Sequence, residues 1–142
     1  MKRLRRQEGS NLVEFALVLP LLLILVMGIV EVGLVIYDKA VITNAAREGA
    51  RAGIVFRDPR MQLGEIQTVV QNYANAYLVT FGTTPAPTVE WLVEDLDNNT
   101  VQSSGDRLTV TVRYQYDYLM LGNFIPGIGT LNLQSTSVMR YE

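Results

Sequence analysis

A chain of 142 residues has the length of one modest domain, and this one is 49% hydrophobic with 12 basic against 14 acidic residues, a net charge of −2 that offers no general attraction to nucleic acid. It contains no cysteine and no histidine, which excludes a Ser-His-Asp triad, a Cys-His nucleophile, a disulfide framework, cysteine-attached haem and a Cys/His zinc site within it. The apolar residues crowd near the N-terminus and leave the remainder much more polar, which is not the pattern of an ordinary soluble domain.

Lys2, Arg3, Arg5 and Arg6 stand immediately before the apolar stretch, which runs over the 23 residues from Phe15 to Tyr37 with Glu31 as its one charged residue. Roughly 20 such residues cross the hydrocarbon layer as a helix, so a spanning helix is expected. A buried globular helix and a cleaved secretory signal peptide are the alternatives. The run is long for a signal peptide, and it continues through Asp38, Lys39, Ala40 and Val41 into helix-compatible sequence. The basic cluster favours an N-terminus in the cytoplasm and a C-terminal segment across the membrane, although Lys39, Arg47 and Arg51 on the far side weaken the contrast.

Ile42, Ala45, Gly49, Ala52 and Phe56 recur at spacings of three and four, with Arg47, Glu48 and Arg51 on other faces, which predicts one helix from about Asn11 to Phe56. At 1.5 Å per residue such a helix is a rod of about 68 Å, and a substantial part must project beyond the bilayer. Small residues on the projecting part would let it pack laterally against copies or relatives of itself. Pro20 removes the hydrogen bond expected by the carbonyl of Ala16, a defect that membrane helices tolerate when neighbours satisfy the freed group. Glu14 and Glu31 are carboxylates in or beside hydrocarbon, so each must find a partner, reach an interface or become protonated. For Glu31, a place in the outer headgroup layer and a buried pairing are both open.

The run Arg5-Arg6-Gln7-Glu8-Gly9-Ser10-Asn11-Leu12-Val13-Glu14-Phe15 resembles the type IV prepilin processing pattern: a basic leader ending in Gly9, then Ser10, with an acid at the fifth mature position. Glu14-Phe15-Ala16-Leu17-Val18-Leu19-Pro20, then Gly28-Ile29-Val30-Glu31 and Asn44-Ala45-Ala46-Arg47-Glu48-Gly49-Ala50-Arg51, resemble the TadE-like family of tight-adherence (Flp-type IVb) pilus assembly proteins, over about residues 8 to 53. The resemblance implies a minor pilin or pseudopilin. Gly9 and Ser10 would flank the prepilin-peptidase cut. Glu14 would be the assembly acid, neutralising the new amine of a neighbouring subunit and favouring insertion in register, because a stagger leaves both charges unpaired. Phe15, Pro20, Glu31, Asn44, Arg47, Glu48, Gly49 and Arg51 would belong to the assembly surface, the last five in the stretch that follows the membrane segment. Loss of residues 1 to 9 would leave 8 basic and 13 acidic side chains, a balance of −5, and would release the basic leader.

Beyond the shaft, Asp58-Pro59 marks a break. Leu63, Ile66, Val70, Tyr73 and Tyr77 predict a second helix within about Met61 to Val79, its start delayed by Gly64, and residues 82–87 read as a connector. The period then changes to two. Val89, Trp91 and Val93 form an imperfect strand pattern, Leu108 to Tyr118 a clean one, and Thr130 to Met139 a third, with turns at Asp97 to Thr100 and Ser103 to Asp106. A small antiparallel sheet laid against the projecting helix is expected, an α+β arrangement of type IV pilin-like form. The expected division is a leader over 1–9, a transmembrane helix over 10–37, its extracytoplasmic continuation over 38–56 and a small α+β domain over 57–142.

Other signals have bland counterparts. Tyr114, Tyr116 and Tyr118 share one strand face, read as inward packing in preference to ligand binding. Asp95, Asp97, Asn99 and Asp106 have the first, third, fifth and twelfth places of a calcium loop, but Thr100 replaces the turn glycine, and a hydrated turn is preferred. Glu90, Glu94, Asp95 and Asp97 fix no substrate and separate no acid from base, so no enzyme, cofactor or metal is expected. The expected role is a subunit that helps initiate, cap or organise a pilus or secretion fibre. Its expected partners are a prepilin peptidase, other pilins or pseudopilins, the assembly platform in the inner membrane and the lipid bilayer. Its expected location is the cytoplasmic membrane or surface pili. The alternative is a permanently anchored envelope protein whose distal domain binds an adhesion or export component.

Overall fold

The computed structural model describes residues 2–80, 86–99, 102–119, 122, 127 and 129–142, with side chains from residue 10 onward. Two helices, α1 (Lys2–Ile54) and α2 (Leu63–Tyr77), precede three strands, β1 (Thr88–Glu94), β2 (Arg107–Asp117) and β3 (Thr130–Arg140). The strands form one antiparallel meander in the order β1-β2-β3. The fold is therefore α+β, one long apolar N-terminal helix packed against a small antiparallel sheet.

Helix α1 is longer than expected at its start, beginning at Lys2 where the periodicity suggests Asn11, because the basic N-terminal segment holds no proline to break a helix. It continues through Pro20 without interruption and ends two residues before Phe56. Its last carbonyls are met by a side chain: the Arg60 guanidinium donates to the Ile54 and Val55 carbonyl oxygens at 3.4 and 3.5 Å, and lies over the rings of Phe56 and Tyr141. A cation at a helix C-terminus complements both the orphan carbonyls and the dipole.

Burial in the second half of α1 repeats every three to four residues. Val41, Ile42, Ala45, Ala46, Gly49, Ala50 and Gly53 are buried, and Ile42, Ala45, Ala46 and Ala50 share one core with Ile66 and Val70 of α2 and Leu108, Val110 and Val112 of β2. A methyl group on Gly49 would stand 2.5 Å from Val70 Cγ2, and one on Gly53 would stand 2.5 Å from Leu108 Cδ2. The small residues do permit close approach, but the surface approaching them is the chain's own. Ile42, Ala45 and Gly49 are thus packed within the domain, while Phe56 is left exposed beyond the helix.

Helix α2 is shorter than expected by two residues at each end. Gly64 lies inside it, in the first turn, where the Glu65 carboxylate accepts the Gln62 amide at 2.8 Å and pairs with Arg57. Those two partners hold the Glu65 carboxyl below its usual range, the amide first. Alternation on β2 is clean: Leu108, Val110, Val112, Tyr114 and Tyr116 are all buried against the helices, with Leu133 of β3 joining them. The connector expected at 82–87 falls mostly outside the described residues, as does Thr100.

Candidate membrane and assembly surface

From Ser10 to Val30, α1 touches little of its own chain. Leu12, Val13, Phe15, Leu17, Leu21, Leu22, Leu25 and Ile29 are exposed on every face, and the stretch is long and apolar enough to cross a membrane. In water so large an apolar surface would be untenable; in a bilayer it is the required one. The chain has one such helix among the described residues, consistent with a single membrane pass.

The two acids between Ser10 and Tyr37 have opposite surroundings. Glu31 is 1% exposed. Its Oε1 accepts the Tyr116 hydroxyl at 2.7 Å and the Leu119 amide at 2.8 Å, so the far end of β2 reaches down to the helix and supplies the carboxylate with donors. Burial and the neighbouring Glu31 carboxylate push the Tyr116 hydroxyl well above the usual tyrosine range, keeping it a proton donor at any physiological pH. Glu14, by contrast, is exposed on the apolar rod and has no hydrogen-bond partner among the described residues. Ser10, Phe15 and Pro20 are exposed beside it, and Gly9 lies within α1.

Two turns above Glu31 on the same face stands Asp38, fully buried. Its Oδ1 accepts the Val79 amide at 3.0 Å, tying the end of α2 to α1, while its Oδ2 has no partner among the described residues. Burial raises the Asp38 carboxyl above its usual range, with the Val79 hydrogen bond opposing. Sequence reasoning missed Asp38. The signal was its seven-residue spacing from Glu31, which places both acids on one stripe.

The stretch Asn44 to Arg51 divides between two faces. Ala45, Ala46, Gly49 and Ala50 turn into the core, and Asn44, Arg47, Glu48 and Arg51 face outward. None of these three charged side chains joins an ion pair among the described residues. Of the residues expected on the assembly surface, Glu31 and Gly49 are therefore engaged inside the chain, and Glu14, Phe15, Pro20, Asn44, Arg47, Glu48 and Arg51 remain on the surface.

The distal acids are also placed. Glu90 pairs with Arg113, and Glu94 with Arg107 at 2.9 Å, as cross-strand ion pairs on the exposed sheet face. Carboxylate oxygens of Asp95, Asp97 and Asp106 come within 4.8 Å of one another. Asp106 accepts the Leu96 and Ser103 amides, each at 2.9 Å, which hold its carboxyl below the usual range. Asp97 accepts the Asn99 amide and the Ser103 hydroxyl. These acids brace the turn before β2, with Asn98 in the left-handed region at φ 56°. An open surface cavity of about 310 Å³ near Thr88, Arg113, Gln115 and Gln134 contains none of them.

A family model described as TadE-like protein matches residues 9–51, less than a third of the chain. The match begins at Gly9, spans the exposed apolar rod and ends at Arg51 on the outward face of the shaft. No curated protein and no solved structure matches the chain.

Proposed function

We propose that the chain is a membrane-inserted pilin-like subunit, a minor pilin or pseudopilin that assembles through the exposed half of α1 and helps initiate, cap or organise a tight-adherence type IV pilus or a related secretion fibre. The observation that carries this reading is the contrast between Glu31 and Glu14. One acid of the spanning helix is satisfied by its own domain. The other lies one turn inside the apolar surface with no partner among the described residues, and in this reading a neighbouring subunit supplies one.

In this reading a prepilin peptidase cuts between Gly9 and Ser10, and the new amine of one subunit meets Glu14 of its neighbour. The basic leader holds the N-terminus on the cytoplasmic side, and the α+β domain lies across the membrane. The protein's work is packing between subunits; it performs no catalysis. The TadE-like match over residues 9–51 supports the reading because it covers the leader junction, the spanning segment and the shaft.

The test is intact mass with N-terminal sequencing of chain recovered from native membranes and from sheared surface fractions. A mature chain beginning at Ser10, present in sheared fibres, is the expected result. A chain intact from Met1 in cells with active prepilin peptidase overturns the processed-subunit reading and leaves a permanently anchored envelope protein. Glu14→Gln is expected to insert normally and to lose fibre production.

A further inference from the structure

We propose that the base of the α+β domain is a lipid-contact surface, seated in the headgroup layer of the leaflet on its own side of the membrane. The surface consists of Tyr37, Tyr77, Tyr118 and Leu119 arranged around the Glu31 clamp. This inference rests on the membrane-spanning part of the reading above and is independent of fibre assembly.

Length sets the domain at the membrane edge. The exposed apolar rod from Leu12 to Val30 is 19 residues. At 1.5 Å per residue it spans about 28 Å, which matches a hydrocarbon core of about 30 Å. The next residue, Glu31, is where the domain makes its lowest hydrogen bonds to the helix. Because α1 is continuous through this point to Ile54, no spacer separates membrane from domain. The projecting shaft does not hold the domain away from the bilayer; it is the spine of the domain itself.

Composition at that level suits a headgroup layer. Glu31 brings a carboxylate to the edge of the hydrocarbon, and the domain answers it with a hydroxyl and an amide, so the polar requirement is met without hydration. Around the clamp the chain offers tyrosines. Tyr118 packs edge-on against Tyr116, with ring centroids 5.7 Å apart, and remains partly exposed. Tyr37 is six residues above Glu31, about 9 Å up the helix, and about half exposed. Tyr77, also about half exposed, ends α2 two residues before the Val79 amide that binds Asp38. Tyrosine rings with an apolar body and a polar tip collect at this depth of a membrane. Asp117 pairs with Thr130, so β2 leaves and β3 returns at the base, where Tyr118, Leu119 and Thr130 carry no charge. Of the charged residues of the sheet, Glu90, Glu94, Arg107, Arg113 and Arg140 lie higher on the strands, and Asp117 alone stands at the base.

The sole tryptophan supplies a built-in control. Trp91 pairs with Val110, six residues along β2 from Tyr116, which places it about 20 Å from the clamp. The full-length chain is reconstituted into phosphatidylcholine vesicles whose acyl chains are brominated either near the glycerol end or near the chain ends. Tryptophan emission is then read for the wild type and, in a Trp91→Phe background, for Tyr118→Trp, Tyr37→Trp and Leu22→Trp. Emission from positions 118 and 37 is expected to be lost to bromine near the glycerol end, and emission from position 22 to bromine near the chain ends, while Trp91 is unaffected by either lipid. Quenching at 22 with 118 and 37 as bright as Trp91 would overturn the seated base and leave the spanning helix intact. Absence of quenching at 22 would overturn both.

Discussion

The two halves of α1 share one backbone and differ in what surrounds them. From Ser10 to Val30, no side chain is buried whichever way it points; from Glu31 to Gly53, burial returns every three or four residues against α2 and the sheet. The first half has its partners outside the chain, in lipid and, on our reading, in other subunits. The second half has them inside. The meaning of a residue type therefore depends on the half in which it stands: a glycine at 49 is an intramolecular close approach, and a glutamate at 31 is a docking point for β2.

This division predicts where substitutions register. Ile42 is fully buried in the domain core, and Ile42→Ala is expected to destabilise the domain by about 2–5 kcal/mol, the usual span for a core truncation of this kind. Leu22→Ala removes a comparable side chain from the lipid-facing half and should leave domain unfolding unchanged. Thermal unfolding of the full chain in detergent, followed by Trp91 fluorescence, reads both. An equal loss from Leu22→Ala would break the comparison, because it would mean that the exposed rod is bound to the domain.

Next in size is the clamp. Glu31→Ala strands the Tyr116 hydroxyl and the Leu119 amide, and a buried donor left without its charged acceptor costs about 1.5–3 kcal/mol. Glu14→Ala should cost the domain nothing. Gly49→Ala sharpens the same point without charge. The added methyl group meets Val70, and overpacking of about 1–3 kcal/mol is offset only in part by the gain of up to about 1 kcal/mol from alanine's helix propensity. Were Gly49→Ala stabilising instead, the inner face would have to be looser than the structure shows.

Much of this was legible because the period of the apolar residues survives in the fold. The change from period 3.6 to period 2 located α2 and all three strands to within about two residues, and the alternation on β2 sent Tyr114 and Tyr116 inward as expected. The start of α1 was misplaced because an apolar pattern marks a buried or lipid-facing stripe and is silent about a helical basic segment before it. The roles of the small residues were legible in kind and not in address: Ala45 and Gly49 announce a close approach, but the spacing does not say whose surface approaches. A buried pairing of Glu31 was one of two open readings, but its partners were not legible, since they lie 85 and 88 residues away and meet it only through the tertiary fold.

Asp38 gives a smaller effect with a definite sign. Its folded-state carboxyl is raised by burial, so the folded chain takes up the proton before the unfolded chain as pH falls. Ionised Asp38 therefore costs stability above its folded-state value, and that cost disappears below the unfolded value. Asp38→Asn keeps an acceptor for the Val79 amide and cannot titrate. Between neutral pH and the ordinary carboxylate range, the wild type should gain stability relative to Asp38→Asn as pH falls. The difference between the two melting profiles cancels the opposite contribution of Asp106, whose lowered carboxyl adds stability that is lost in acid.

The smallest effect on the domain is expected on the outward face of the shaft. Arg47, Glu48 and Arg51 are exposed and join no ion pair among the described residues, so Arg51→Ala should change domain stability by no more than about 0.5 kcal/mol. A larger loss would place Arg51 in the inner half of the comparison and undo the split between faces. Given an unchanged melt, fibre yield becomes the informative reading. These side chains lie on the same continuous helix as Glu14, so a subunit contact that begins in the membrane would extend along this face, and Arg51→Glu would lower fibre yield while leaving insertion and folding intact. Unchanged yield would confine the subunit contact to the membrane half, below Glu31.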